Sequence, residues 1–377
     1  MRHHHLIDDS RFVVPPEPFN RDSDPEFLRF ALGATLYTPG TREVGQAQLG
    51  GSLSGVTSLV ICLEDAVAEE DLEAAERNTL SQLELLSEAQ SSQSSQVPLL
   101  FVRARNAAQL TAFARRMERQ HASALTGFVF PKFTALTAPD YFAGLQELNN
   151  RFEVSLFAMP ILEGPAIAHR ETRDTELLAL HTTMQAFRSY VLNIRIGGTD
   201  LSSLFGLRRD MRASIYDLLP VRDALSDILN VFNRPSDGYV VSGPVWEYFL
   251  AYKRDDLAEL LKREEDWHLG PRTKPILNAA VDGLIRETLL DKVNGLVGKT
   301  VIHPSHVRLV NALQAVTREE YEDASQILNS SGGVMKSFAQ NKMNETNPHR
   351  NWARRIMMLA RAYGVVETQR DLLGLAL

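Results

Sequence analysis

Eight side chains able to do acid, base or metal chemistry stand just beyond apolar runs in this sequence. Glu64 and Asp65 follow SLVICL, Arg103 and Arg105 flank the end of LLFV, and Lys132 follows FVFP. Glu163 follows AMPIL, Asp200 follows IRIGGT, and His303 follows KTVI. Hard divalent cations prefer oxygen ligands, and magnesium commonly takes one or two carboxylates plus waters and substrate oxygens. Glu163 and Asp200 suit such a site, with Gly198 and Thr199 expected to touch the substrate beside Asp200. Magnesium held there would orient a 2-oxo or 2-hydroxy acid and polarise its carbonyl. Arg103 would stabilise the charge that builds on a second carbonyl as an enolate forms, its planar fork matching carboxyl or thioester oxygens. Arg105, Lys132 and His303 complete the expected substrate contacts.

Each of these residues also has a plainer reading when taken singly. Glu64, Asp65 and Asp200 could cap helices, Glu163 before Gly164 and Pro165 could belong to a turn, and Arg103 to a structural ion pair. Lys132 reads as a Schiff-base lysine or as half of an ion pair, and His303 before Pro304 as a loop-shaping histidine. Their common placement at the ends of apolar runs is what joins them.

The elements that must position them are short. Apolar segments begin near residues 34, 58, 98, 127, 154, 190, 238 and 296, separated by stretches of helical period. Several are apolar throughout, as expected of parallel strands covered on both faces. Eight βα units predict an α/β fold, a (β/α)8 TIM barrel with the active site at the carboxyl ends of its strands. An open doubly wound sheet is the alternative. Residues 1–29 read as an N-terminal arm, 30–315 as the barrel and 316–377 as a C-terminal helical extension. Segments 42–57 and 88–97, rich in Gly, Ser and Gln, read as flexible surface connections. His3, His4 and His5 read as an unstructured tail.

Composition narrows the function classes. The 377 residues are 44% hydrophobic and 23% charged with a net charge of −7, which leaves no extended basic face for nucleic acid. No apolar run approaches the roughly 20 residues that span a bilayer, and no secretory leader is evident, so a cytoplasmic protein is expected. The single cysteine, Cys62, precludes an internal disulfide and reads as a buried strand residue. The segment GLVGKT at 295–300 imitates a phosphate loop but has Val293 where that pattern needs its first glycine.

In order along the chain, LYTPG, ICLEDAV, FVRARN, FVFPKF, MPILEGP, IGGTDLSSLFG and GKTVIHPSHV resemble the citrate lyase beta-subunit-like (HpcH/HpaI aldolase) family, across residues 30–330. The resemblance implies a magnesium-dependent carbon–carbon lyase or aldolase acting on malyl-, citramalyl- or citryl-type thioesters or related oxo acids. It implies Glu163 and Asp200 as metal ligands, Arg103 facing the thioester or carboxylate, and Glu64 and Asp65 ordering water beside the metal. It further implies a homo-oligomer, a trimer or hexamer, whose C-terminal segment covers a neighbour's site. Glu345 in KMNETNPHRNWARRI then stands as a general base in trans, with His349 as second choice. Cys62 replaces a common aspartate, Gly33 and Ala34 a strand-1 arginine, Gly164 a threonine, Thr199 an acid, and Arg105 an asparagine, which fits a divergent C–C bond lyase branch. A malate-synthase-like condensing and thioester-hydrolysing enzyme, or an inert barrel serving as a binding protein, are the other readings.

Overall fold

The computed structural model describes residues 1–92, 96–249 and 278–376. Eight parallel strands run in sequence order around the fold: β1 (Ala34–Pro39), β2 (Ser58–Cys62), β3 (Leu99–Arg103), β4 (Gly127–Phe130), β5 (Phe157–Leu162), β6 (Ile194–Ile196), β7 (Val241–Ser242) and β8 (Lys299–Val301). Each pairs with its sequence neighbour and β8 returns to β1, with Leu36 opposite Val301. The β7–β8 seam is closed by a bridge between Gly243 and Lys299, where Val297 N–H donates to Val241 and Thr300 N–H to Gly243. This is a (β/α)8 barrel, and all eight expected strands are present.

Every residue of β2, β4 and β5 is buried, because the barrel interior covers one face and a helical layer the other. The outer helices begin where the sequence supplies caps. Asn106 accepts from Gln109 N–H ahead of Ala107–Arg116, and Asn278 from Val281 N–H ahead of Ala279–Val293. At the amino ends of the strands, Gly127 has no room for a side chain, since a Cβ there would lie 2.0 Å from the Phe157 carbonyl oxygen.

Three expectations need correction. Residues 42–57 contain the helix Val44–Leu49, seated on helix Leu72–Ser91 by Gly45 N–H donating to Gln82 Oε1 at 2.9 Å. Of the small residues that resemble a loop, Gly45 is there for close helix contact. Residues 88–91 continue the helix Leu72–Ser91 rather than forming a linker, and 93–95 lie outside the described residues. The N-terminal histidines are not a tail. His3 is fully buried, stacks on Tyr363 at 4.5 Å, and places Nε2 2.8 Å from the Ala31 carbonyl. An imidazole can fill apolar space while satisfying a carbonyl, and burial holds its pKa down at about 4, so it packs as the neutral ring.

Beyond the barrel, helix Arg318–Asn329 packs on the amphipathic helix Thr346–Tyr363, whose buried face carries Ala353, Ile356, Leu359, Ala360 and Tyr363. Between them lies a hairpin of Val334–Lys336 and Met343–Glu345. After Gly364, Val365 and Val366 pair with Val316 and Thr317, and helix Gln369–Gly374 caps the assembly. Among the described residues no helix is long and apolar enough to cross a membrane.

Candidate active site

A cavity of about 380 Å³ opens at the carboxyl ends of the strands, lined by Tyr37, Cys62, Asp65, Arg103, Glu163, Arg195, Gly198, Thr199, Asp200 and Thr300 among others. The strand register explains the convergence. Leu162 is level with Ile196, so Glu163 falls beside Gly197, and Cys62 is level with Arg103. Gly197 must be glycine, because a Cβ there would sit 2.0 Å from Glu163 Oε2. Asp200 occupies the first turn of the short helix Gly198–Ser203, which starts at this glycine pair.

Glu163 is 4% exposed and accepts the Lys132 backbone N–H on Oε1 at 2.7 Å. Lys132 holds a left-handed backbone, φ 48°, a conformation that costs a side-chain-bearing residue about 1 kcal/mol and that aims this N–H into the site. Burial and then the nearby Asp200 charge push the Glu163 carboxyl up to about 8. Neither Glu163 nor Asp200 forms an ion pair with a described residue. Two carboxylates thus face one cavity without an ion-pair partner, and burying them together raises the cost of charging both.

Lys132 and Arg103 are engaged with other groups. Lys132 Nζ reaches Glu64 Oε1 and, at 3.3 Å, Asp65 Oδ1. Arg103 places Nη2 3.0 Å from Glu64 Oε2, donates Nε–H to Cys62 Sγ at 3.2 Å, and lies over the Tyr37 ring. Burial, and next the contact with Asp65, lift the Glu64 carboxyl above the ordinary range against the pull of Arg103 and Lys132. Cys62 is buried in its strand as the sequence implies, and its sulfur accepts the Arg103 Nε–H.

Some expected contacts are absent. Arg105 does not line the cavity. Its guanidinium donates to the carbonyls of Leu63 at 2.9 Å and Val67 at 2.7 Å and pairs with Glu69, bracing the loop that carries Glu64 and Asp65. Lys132 is likewise outside the lining, as half of an ion pair. His303 stacks on Phe249 at 4.3 Å and takes Ser305 Oγ at 2.7 Å, which is the loop-shaping arrangement. Glu345 lies exposed in the C-terminal hairpin and does not line its own chain's cavity. Lys299 of the imitation phosphate loop is fully buried against Glu287 at 3.0 Å and Asp291 at 2.7 Å.

Two features escaped the sequence reading. Arg195 lies in β6 with its guanidinium inside the barrel, signalled only by one charge within the apolar run VLNIRI. A polar network, exposed at Thr199 and buried from Arg209 onward, also runs from Thr199 through Glu247, Arg209 and Glu287 to Lys299, anchoring the segment that carries Asp200 to helix Ala279–Val293. Its members are scattered over about a hundred residues, and no local pattern marks them.

Among the described residues no three His, Cys, Asp or Glu side chains gather into a ready-made metal cage. Of the three carboxylates that line the cavity, Asp65 reaches Lys132, while Glu163 and Asp200 are in no ion pair, and one or two carboxylates are what magnesium commonly takes.

No curated protein matches the chain. The fold is similar to that of CitE from Mycobacterium tuberculosis solved with magnesium, acetoacetate and coenzyme A, with a TM-score of 0.51 and 18% identity over 88% of this chain and 99% of that one. The citrate lyase beta subunit from the same organism, complexed with oxaloacetate and magnesium, aligns at a TM-score of 0.42 and 18% identity over 74% of this chain and 95% of that one. Haloferax volcanii malate synthase, as a lead(II) complex, aligns at 0.45 and 13% identity over 74% and 71%. The model of the C–C bond lyases of the TIM-barrel fold matches residues 26–365, and the chain belongs to that family.

Proposed function

We propose that this chain is a magnesium-dependent lyase or aldolase that makes or breaks a carbon–carbon bond in an oxo- or hydroxy-acid, free or as a thioester, through an enolate. The observation that carries this reading is the pair Glu163 and Asp200, neither of them in an ion pair, sharing one cavity with Arg103. Their mutual repulsion is relieved by a divalent cation, and the two-carboxylate donor set fits magnesium. When bound, the ion supplies charge neutralisation and a Lewis acid for the oxygens of the acid.

The chain's own groups then divide the work. Glu163 and Asp200 would hold the ion against which the carboxyl end of the acid binds at the mouth. In the cleavage direction the hydroxyl proton leaves to a base, the carbon–carbon bond breaks, and its electron pair moves onto the acyl carbonyl as an enolate. Arg103, kept in place by Cys62 and Glu64, donates to that oxygen. Proton return to the enolate carbon completes the cycle, and condensation runs the same steps backwards. Glu64, Asp65 and Lys132 hold water beside the cavity. Glu345 serves as the general base for the site of a second copy, on a hairpin whose exposed Val334, Phe338 and Met343 offer apolar surface for that contact.

Enolate formation is read without knowing the full substrate. Pyruvate or acetyl-CoA in deuterated water, followed by proton NMR, should lose methyl signal only with enzyme and magnesium together. The exchange should fall at least about 100-fold in Arg103→Met. No exchange with either compound would remove the enolate step. Free CoA and free malate formed from acetyl-CoA and glyoxylate would point instead to the condensing and hydrolysing reading.

A further inference from the structure

The described fold buries four arginine or lysine side chains completely or nearly so: Arg173, Arg195, Arg209 and Lys299. Three of them meet carboxylates, Arg173 at Asp227, Arg209 at Glu247 and Glu287, and Lys299 at Glu287 and Asp291. Arg195 does not. Its Nη1 donates to Thr35 Oγ1 at 3.2 Å, its Nη2 and Nε to Thr300 Oγ1 at 2.9 and 3.3 Å, and Met159 Sδ lies 4.0 Å from Nη1. No carboxylate among the described residues is within ion-pair distance of it. Buried charges are ordinarily paired, and neutral hydroxyls do not discharge a guanidinium.

This cation is not sealed away. Arg195 and Thr300 both line the cavity that holds Glu163 and Asp200. A second polar group there also lacks a partner. The Tyr37 hydroxyl is buried with nothing to bond, and its ring lies between Arg103, 5.4 Å away, and Arg195, 5.7 Å away. The backbone of Arg195 is level with Ile161, two residues before Glu163, so its side chain enters the cavity from below Glu163. The cavity therefore has an anionic mouth and a cationic floor.

We propose that Arg195, with the Tyr37 hydroxyl, is the receptor for a second carboxylate of the substrate, and that the enzyme selects short dicarboxylic oxo- or hydroxy-acids over monocarboxylic ones. The inference rests on the lyase reading above for its substrate but not for the anion site itself. One carboxylate and the oxo group lie at the mouth, and the other carboxylate reaches the floor and supplies the charge that Arg195 lacks. Arg195 is a specificity-determining residue that touches substrate away from the reacting atoms.

The test uses the full-length protein and its Arg195→Met, Arg195→Lys and Tyr37→Phe variants. With saturating magnesium, calorimetry should show wild type binding oxaloacetate at least tenfold more tightly than pyruvate. Arg195→Met should abolish that ratio with pyruvate affinity unchanged, and Tyr37→Phe, which keeps the ring, should reduce it severalfold. An unchanged ratio in Arg195→Met overturns the proposal. A second arm without magnesium measures the thermal shift produced by malonate. Protection of wild type that disappears in Arg195→Met and weakens in Arg195→Lys supports the anion receptor, and equal protection of all proteins overturns it. If neither oxo acid binds wild type, the lyase reading fails while the malonate arm still decides the receptor. Removing an unpaired buried cation should leave the melting temperature of Arg195→Met equal to or above that of wild type, whereas a purely structural arginine would lower it.

Discussion

Glu163 is a carboxylate in a place where carboxylates are expensive, and its titration should report the site. Burial first, and Asp200 second, push it up to about 8, so near neutral pH the metal-free protein keeps a proton there. A cation must expel that proton. Magnesium affinity should therefore rise by up to about tenfold per pH unit as the pH climbs toward 8, then level off. The stability of the metal-free protein runs the other way. A carboxyl raised in the folded state contributes stability below its ordinary range, and that contribution is lost as pH rises through about 8. Titrations at about pH 6 and pH 9 in buffers of different ionisation heat would show the released proton, and an affinity flat across that range would contradict the assignment. At this scale the sequence was legible where a polar residue ended a strand. Asp65, Arg103, Glu163, Gly198, Thr199 and Asp200 all reach one cavity. It was opaque for Arg195, because strand alternation decides whether a charge points into the barrel or away, and three residues of β6 give no visible alternation.

The same site depends on elements brought unusually close together. At β5 and β6 the Glu163 side chain occupies the volume in which a residue at 197 would carry its Cβ, 2.0 Å from Oε2 and 2.4 Å from the Glu163 Cβ. Gly197→Ala should weaken magnesium binding by at least tenfold and cost about 1–3 kcal/mol of stability through overpacking. Gly164→Ala is the matched control, since φ there is −80° and nothing lies within 4 Å of the added methyl. Calorimetry and thermal melts on the two variants should separate cleanly, and similar behaviour of the pair would mean that strand proximity does not set the carboxylate. Strand positions were readable because parallel strands covered on both faces are apolar throughout. Loops were less so. A Gly-rich stretch such as REVGQAQLGG reads as a surface loop, yet Gly45 lets a helix settle against Gln82. Arg105 looked like a substrate contact but is spent on the carbonyls of its neighbouring loop, a choice set by tertiary distance alone.

At the scale of the molecule, the two termini close on each other over the barrel. His3 fills a pocket against Tyr363, Val13 N–H donates to Val365, and Arg361 pairs with Glu17, so the ends of the chain share one core. The hairpin bearing Glu345 projects from this assembly with apolar side chains in solvent, which supports its proposed contact with a second copy. Mixing Asp200→Ala with Glu345→Ala, each inactive alone, should then restore about a quarter of wild-type activity, the fraction of sites in a random assembly that join an intact metal pair to an intact neighbour. Recovery of none, with mixed assembly verified, would exclude Glu345 as a base acting on a neighbour's site. The proposed role of Glu163 and Asp200 is to hold magnesium for an oxo acid. Calorimetric titration of metal-stripped protein with magnesium, with and without oxaloacetate, pyruvate or glyoxylate, addresses it directly in wild type and Asp200→Ala. Oxo-acid binding that requires magnesium and vanishes in Asp200→Ala is the predicted result. Binding that is indifferent to the metal, or no binding in any combination, would contradict it.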